Sequence, residues 1–351
     1  MVNSHASRKL DHLRICTEED VAPRGTTTGL QGYRLTHCAL PELDLNNVDL
    51  STRFLGKMLM APFLISAITG GTAQARQINL NLANAAQDLG IAMSVGSQRA
   101  AIEDSNEIPT YQVRCVAPDV LLFANLGAVQ LNCGYGLDEC RQAVHMIDAD
   151  ALILHLNPLQ EALQADGNTN FAGLLDRIGA ICRDLEVPVI VKEVGWGISE
   201  YVARQLANAG VAVLDVAGAG GTSWSEVEKH RAASDLQHRV AAHFANWGIP
   251  TAEAILQAAR GAPGLPIIAS GGVRTGPEAA VALALGADLV GLAGPLVAPA
   301  TVSAGAVLEE LNVLIKGLRI AMFAAGLPDI PSLQTARLEP AIPSQPGVGR
   351  E

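Results

Sequence analysis

Apolar runs of strand length punctuate the chain at near-regular intervals: Phe63–Ile68, Ile91–Val95, Val120–Leu126, Ala151–Leu156, Val187–Val194, Val211–Val216, Leu265–Ala269 and Asp288–Gly294. Short, nearly continuous apolar segments bounded by Gly, Pro and polar residues read as strands buried on both faces. Between them lie stretches with helical spacing, for example Ala73–Leu89, Phe171–Leu185, Ser199–Ala209 and Pro277–Leu285. Strand and helix therefore alternate, the pattern of a parallel sheet with helices packed outside it. One interval is long: residues 222–264, between the sixth and seventh strands, must hold an extended loop as well as helix. Eight regular βα units predict an α/β protein with a (β/α)8 TIM barrel rather than an open doubly wound sheet.

Composition agrees with one large domain. The chain has 351 residues, 49% of them hydrophobic, enough for a barrel of ~250 residues with extensions. Residues 1–50 precede the first strand as an N-terminal segment, 51–330 form the barrel, and the Pro- and Gly-rich residues 331–351 are expected as a flexible tail. A net charge of −11 with no basic stripe argues against nucleic acid as a partner. Six cysteines show no zinc-site spacing and read as free thiols. The uncharged run from Leu289 to Leu308 contains Pro295 and Pro299 and reads as a barrel strand plus connection, not a membrane span. With a polar N-terminal stretch at Arg8 to His12 and no signal-peptide pattern, the expectation is a cytoplasmic protein without a membrane partner.

Chemistry is expected at the strand ends, where barrels carry their sites. The seventh strand runs into Ser270-Gly271-Gly272-Val273-Arg274-Thr275-Gly276 and then a helix, and the eighth ends at Ala293-Gly294. Unobstructed backbone N–H groups at two consecutive strand ends form a phosphate site. The other ends supply Thr69-Gly70-Gly71, Ser97-Gln98-Arg99, Asn125, His155 to Glu161, Lys192-Glu193 and Gly220 to Trp224. Lys192 closes an apolar strand and has three readings: it stabilises negative charge on a reduced flavin, it forms a Schiff base, or it pairs with Glu193 or another acid.

These segments, with Arg8-Lys9-x-x-His12 and His155-Leu156-Asn157-Pro158-Leu159-Gln160-Glu161, resemble the type 2 isopentenyl-diphosphate isomerases from about Arg8 to Leu327. Ile68 departs from that pattern, which has Met in the A-M-T-G-G motif. The resemblance implies interconversion of isopentenyl and dimethylallyl diphosphates with reduced FMN, Mg²⁺ and NAD(P)H, in a homotetramer or homo-octamer. Carried over by motif, FMN would be held by Ala67, Ile68, Thr69, Ser97, Asn125, Lys192, Thr222, Gly271, Gly272, Val273, Ala293 and Gly294. The diphosphate substrate would meet Arg8, Lys9, His12, Ser97, Gln98, Arg99, His155, Asn157 and Gln160, with Glu161 as the Mg²⁺ ligand. Gln160, Glu228 and His155 are the side chains placed nearest the proton chemistry. Glu228 follows Trp224 by one helical turn, so a helix there would put both on one face. The leading alternative is an FMN-dependent 2-hydroxyacid oxidase or dehydrogenase on the same barrel. That reaction is expected to need a His-Gly-x-Arg motif, and neither His230, His238 nor His243 is followed by one.

Overall fold

The computed structural model describes residues 4–341, with side chains from Arg8 onward. Eight parallel strands close into a barrel: β1 Phe63–Ile65, β2 Ala92–Ser94, β3 Leu122–Gly127, β4 Ala151–Leu156, β5 Val189–Glu193, β6 Val213–Asp215, β7 Ile267–Ser270 and β8 Leu289–Leu292. Closure comes from β8 pairing with β1, Val290 opposite Phe63.

Period-two alternation explains why both faces of each strand are apolar. Phe63, Ile65, Met93, Leu122, Leu152, Val191 and Val290 join the core beneath the outer helices. Leu64, Ala92, Phe123, Ile153, Ile190, Val213, Ile268 and Leu289 instead fill the barrel interior, with Phe54 and Leu59 from a short hairpin packed against them. Two residues further along each strand the inward position turns polar or bare: Ser66, Ser94, Asn125, His155, Lys192, Asp215, Ser270 and Gly291. An apolar plug thus carries a polar layer, and register sets several of its members side by side, His155 opposite Lys192, Lys192 opposite Asp215, and Ser270 opposite Gly291. Gly291 lacks a side chain for a steric reason, since a Cβ there would lie 2.7 Å from Ser66 Oγ.

Among the helices that reach the mouth at the strands' C-terminal ends are α1 Ser4–Glu18, α2 Pro158–Leu163, α3 Trp224–His230 and α4 Gly294–Val302. α1 lies against α3 and α4, so the N-terminal segment covers the mouth of its own barrel. The interval expected to hold an extended loop as well as helix contains three helices, α3, Asp235–Ala242 and Thr251–Gly261, joined by short connections. Part of the expected flexible tail is also ordered. Asp329 caps the helix Ile330–Gln334, and the strand Leu338–Pro340 pairs with Tyr33–Leu35, where Arg34 and Glu339 meet at 3.1 Å. Residues 342–351 lie outside the described residues. Among the described residues, no helix is long and apolar enough to cross a membrane.

Candidate active site

A cavity of about 330 Å³ opens above the polar layer, under α1, within the ~300–1,000 Å³ range of small-molecule sites. Its deep wall is made by Ser66, Asn125, His155, Lys192, Ser270 and Gly291 of the inward ring. Asn125 Oδ1 meets His155 Nδ1 at 2.9 Å, so the imidazole donates from that nitrogen. Burial, with Lys192 and Lys9 nearby, lowers the His155 pKa to about 4, leaving the ring neutral. Lys192 Nζ donates to Glu193 O at 3.0 Å and stands 3.4 Å from Asp215 Oδ2, while Ser270 Oγ donates to Asp215 Oδ1 at 2.5 Å. The acid facing this lysine is Asp215. The Glu193 carboxylate turns away and accepts the N–H groups of Val194, Gly195 and Trp196 at 2.6, 2.7 and 2.6 Å.

One rim is built for anions. Ser270 to Arg274 and Ala293-Gly294 line the cavity together with Thr222. Ala293 caps the nine-residue α4 without a side-chain hydrogen bond, leaving first-turn N–H groups uncapped by any side chain. The paired glycines have a second cause beyond open access. A Cβ on Gly271 would come within 2.1 Å of Gly218 O, and one on Gly272 within 2.5 Å of Gly220 O. The two glycine loops pack backbone on backbone. Ser66 Oγ, also in the wall, is buried without a hydrogen-bond partner.

The opposite rim gathers charge. α1 presents Arg8, Lys9, His12 and Cys16 to the cavity, one helix face. Arg8 Nη1 donates to Gln164 Oε1 at 3.0 Å, and burial lowers the guanidinium pKa. Burial, then the Arg8 charge, brings the Lys9 ammonium down to about 7. His12 packs edge-on against Trp224 at 5.0 Å and meets Glu228 Oε1 at 3.1 Å. From α2, the Glu161 carboxylate accepts Asn157 Nδ2 at 2.9 Å and the Asn168 N–H at 2.6 Å. Asn157 Nδ2 also donates to Gln160 Oε1 at 3.2 Å, and Asn157 Oδ1 is buried without a partner.

Two expected residues are placed elsewhere. Gln98 does not line the cavity: its side chain is fully buried in the wall, donating to Ala143 O and accepting the Asn125 N–H, both at 2.8 Å. Glu228 is on the helical face shared with Trp224 but stands behind the lining. Its Oε1 accepts from Gln160 at 3.3 Å and Gln164 at 3.1 Å, and its Oε2 meets Arg231 Nη1 at 2.7 Å. Burial raises its pKa, and the bond to His12 with the charges of His12 and Arg231 more than offsets that, so Glu228 is held ionised. The other expected residues all line the cavity. Ser66, Gln164 and Arg274 line it too, and Asp215 and Tyr111 support it from behind. The inward period-two positions could have revealed Ser66 and Asp215 in the sequence; Gln164 lies one helical turn beyond Gln160.

The family model of FMN-dependent dehydrogenases matches residues 4–116 and 154–340. A protein of Nostoc sp. named isopentenyl-diphosphate delta-isomerase is 54% identical over 328 residues, covering 93% of this chain and 94% of its own. One of the same name from Stutzerimonas stutzeri is 54% identical, covering 95% and 97%. Among solved structures, a lactate oxidase of Pediococcus acidilactici matches with TM-score 0.67 at 19% identity over 97% of this chain and 95% of its own. A mandelate oxidase variant with an FMN adduct matches with TM-score 0.64 at 18% identity over 90% of each chain. At such identities the structural likeness concerns the fold alone.

Proposed function

The chain belongs to the FMN-dependent dehydrogenase family, among its isopentenyl-diphosphate delta-isomerases, and we propose that the cavity under α1 binds the substrate diphosphate and holds the allylic unit against FMN. The observation that carries this reading is the pairing of two groups of lining residues: an uncapped helix N-terminus with a glycine loop, and the charged side chains Arg8, Lys9, Arg99 and Glu161. Two anions are accommodated, one cofactor phosphate and one substrate diphosphate.

The residues present fit FMN. Uncapped N–H groups at Gly294 and the loop Gly271–Val273 suit a terminal phosphate, and the orphaned Ser66 Oγ and the Lys192 ammonium suit polar edges of the ring. Ala67, Ile68, Thr69, Ser97, Asn125 and Thr222 complete this set. When bound, FMN would supply a reducible ring with nitrogens able to donate and accept protons. The residues also fit Mg²⁺: the Glu161 carboxylate and the unpartnered Asn157 Oδ1 offer hard oxygens. Among the described residues, no group of three or more His, Cys, Asp or Glu could hold a metal alone. Diphosphate oxygens would complete the coordination, so metal and substrate enter together.

The side chains then do separable work. Arg8, Lys9 and Arg99 neutralise and orient the diphosphate, and the neutral His155 ring bounds its site. Gln160, fixed at one end by Asn157 and at the other by Glu228, keeps its amide in one orientation toward the cavity. Glu228 acts through Gln160 and His12, and the Trp224 ring beside His12 limits water. We also propose NAD(P)H as reductant, a cytoplasmic location, and a homotetramer or homo-octamer, supported by exposed Val302, Val313 and Ile320.

The hydroxyacid oxidase reading lacks its base. His230, His238 and His243 are all exposed, and none lines the cavity. The test is direct: with FMN, Mg²⁺ and a reductant, the purified protein converts isopentenyl diphosphate to dimethylallyl diphosphate, and lactate or mandelate leaves its flavin oxidised. Flavin bleaching by a 2-hydroxy acid, without isomerisation, would refute it.

A further inference from the structure

Tyr111 belongs to no motif, yet it is fully buried beside the site, directly after the 3-10 turn Ser105–Thr110. Its hydroxyl has one proton, which it donates to the Ser97 carbonyl at 2.7 Å. The Lys9 ammonium donates to that hydroxyl at 2.6 Å and to the same Ser97 carbonyl at 3.0 Å. Nζ also lies 5.2 Å from the centre of the phenol ring. An ammonium has three N–H donors, so this arrangement leaves one for an anion in the cavity.

The backbone is shaped around the contact. A Cβ on Gly70 would lie 2.0 Å from Tyr111 Cε1, and one on Gly71, where φ is +76°, would lie 3.2 Å from Tyr111 Oη and 3.3 Å from Lys9 Nζ. The neighbouring Thr110 hydroxyl accepts the Gly71 N–H at 2.9 Å. Gly70-Gly71 is bare so that this phenol can reach Lys9. Arg8 and His12 tie α1 toward Gln164 and Glu228, at the β4 and β6 ends, whereas Lys9 ties it to Ser97 and Tyr111 of the segment after β2, across the mouth.

We infer that Tyr111 is a positioning residue: its hydroxyl latches α1 over the cavity through Lys9 and aims the remaining N–H of the ammonium at the bound anion. The aiming half rests on the diphosphate reading above; the latch does not. In FMN-loaded Tyr111→Phe the phenol loses only its oxygen. Inorganic pyrophosphate with Mg²⁺ should then bind about tenfold more weakly, as for a lost hydrogen bond to a charged group. KM for isopentenyl diphosphate should rise by the same factor with kcat changed less than about twofold. In a Lys9→Met background, Tyr111→Phe should add nothing, because the two residues act as one. Hydrogen exchange of α1 amides should quicken in either single variant while barrel amides keep their rates. An equal, additive penalty in the Lys9→Met background, or unchanged affinity with unchanged α1 exchange, overturns the inference. If wild-type protein binds no pyrophosphate, the diphosphate reading fails and α1 exchange alone decides the latch. If Tyr111→Phe fails to fold, unchanged α1 exchange in Lys9→Met overturns it.

Discussion

Raising the pH should loosen the hold on a diphosphate through one side chain. Burial and the Arg8 charge bring Lys9 down to about 7, whereas a free lysine titrates near ~10.4. Tyr111 and Ser97 take two of its N–H groups, so only the charged form has a third to offer. As pH rises through about 7 the free protein loses this proton, and an anion favours the charged form, so binding must put the proton back. If the bound ammonium regains an ordinary pKa, affinity falls about tenfold, or ~1.4 kcal/mol, for each pH unit above roughly 7. His155 does not confuse the window, since it is held at about 4. Titration calorimetry of pyrophosphate into FMN-loaded protein, in buffers of different ionisation enthalpy between about pH 6 and about 9, reads both affinity and proton uptake. About half a proton should be taken up at pH ~7 and close to one at pH ~8. The ligand's own ionisation is common to wild type and Lys9→Met, so their difference isolates Lys9. A difference that does not vary with pH, or equal proton uptake in the two proteins, refutes the reasoning.

Glu161→Gln should lower Mg²⁺-dependent isomerisation by more than about tenfold and leave FMN retention as in wild type, because the carboxylate serves the metal; an unchanged Mg²⁺ titration removes that assignment. Lys192→Ala leaves Asp215 as a buried carboxylate without its ammonium, so FMN should dissociate more readily and the spectrum of reduced protein should change; a flavin as tightly bound and as easily reduced as in wild type contradicts it. Gly70→Ala drives a methyl into the Tyr111 ring and should cost about 1–3 kcal/mol of stability, read as a lower melting temperature; an unchanged melt shows that the ring can move.

The barrel was legible because apolar runs on doubly buried strands have little else to be, and Ala73–Leu89 was read to its ends. Where burial is shared with a loop, the strand limits shifted: β3 starts at Leu122, not Val120, although Val120 is buried. The segment 222–264 was read as partly extended because its three helices are short and polar residues interrupt each. The ordered part of the tail was hidden by Pro331 and Pro340. Pro331 sits in the first turn of its helix, where a missing N–H costs nothing, and Pro340 ends its strand. In the site, motif residues on strand ends could be expected at the barrel mouth because their direction follows from the strand, and they line the cavity. Gln98 was misplaced because it caps a short helix, Arg99–Glu103, where no period fixes which way a side chain points. Tyr111 was missed because it follows a 3-10 turn and stands 102 residues from the lysine it holds.

The central claim is that the reduced flavin and the diphosphate cradle shift a proton without consuming electrons. Pre-reduced protein, held anaerobic in D₂O with Mg²⁺ and isopentenyl diphosphate, tests it in one reaction followed by NMR and flavin absorbance. Many product molecules per flavin should form while the spectrum stays reduced, with deuterium entering both product and recovered substrate. One product per reducing equivalent, or activity only after the flavin is oxidised, would contradict the account.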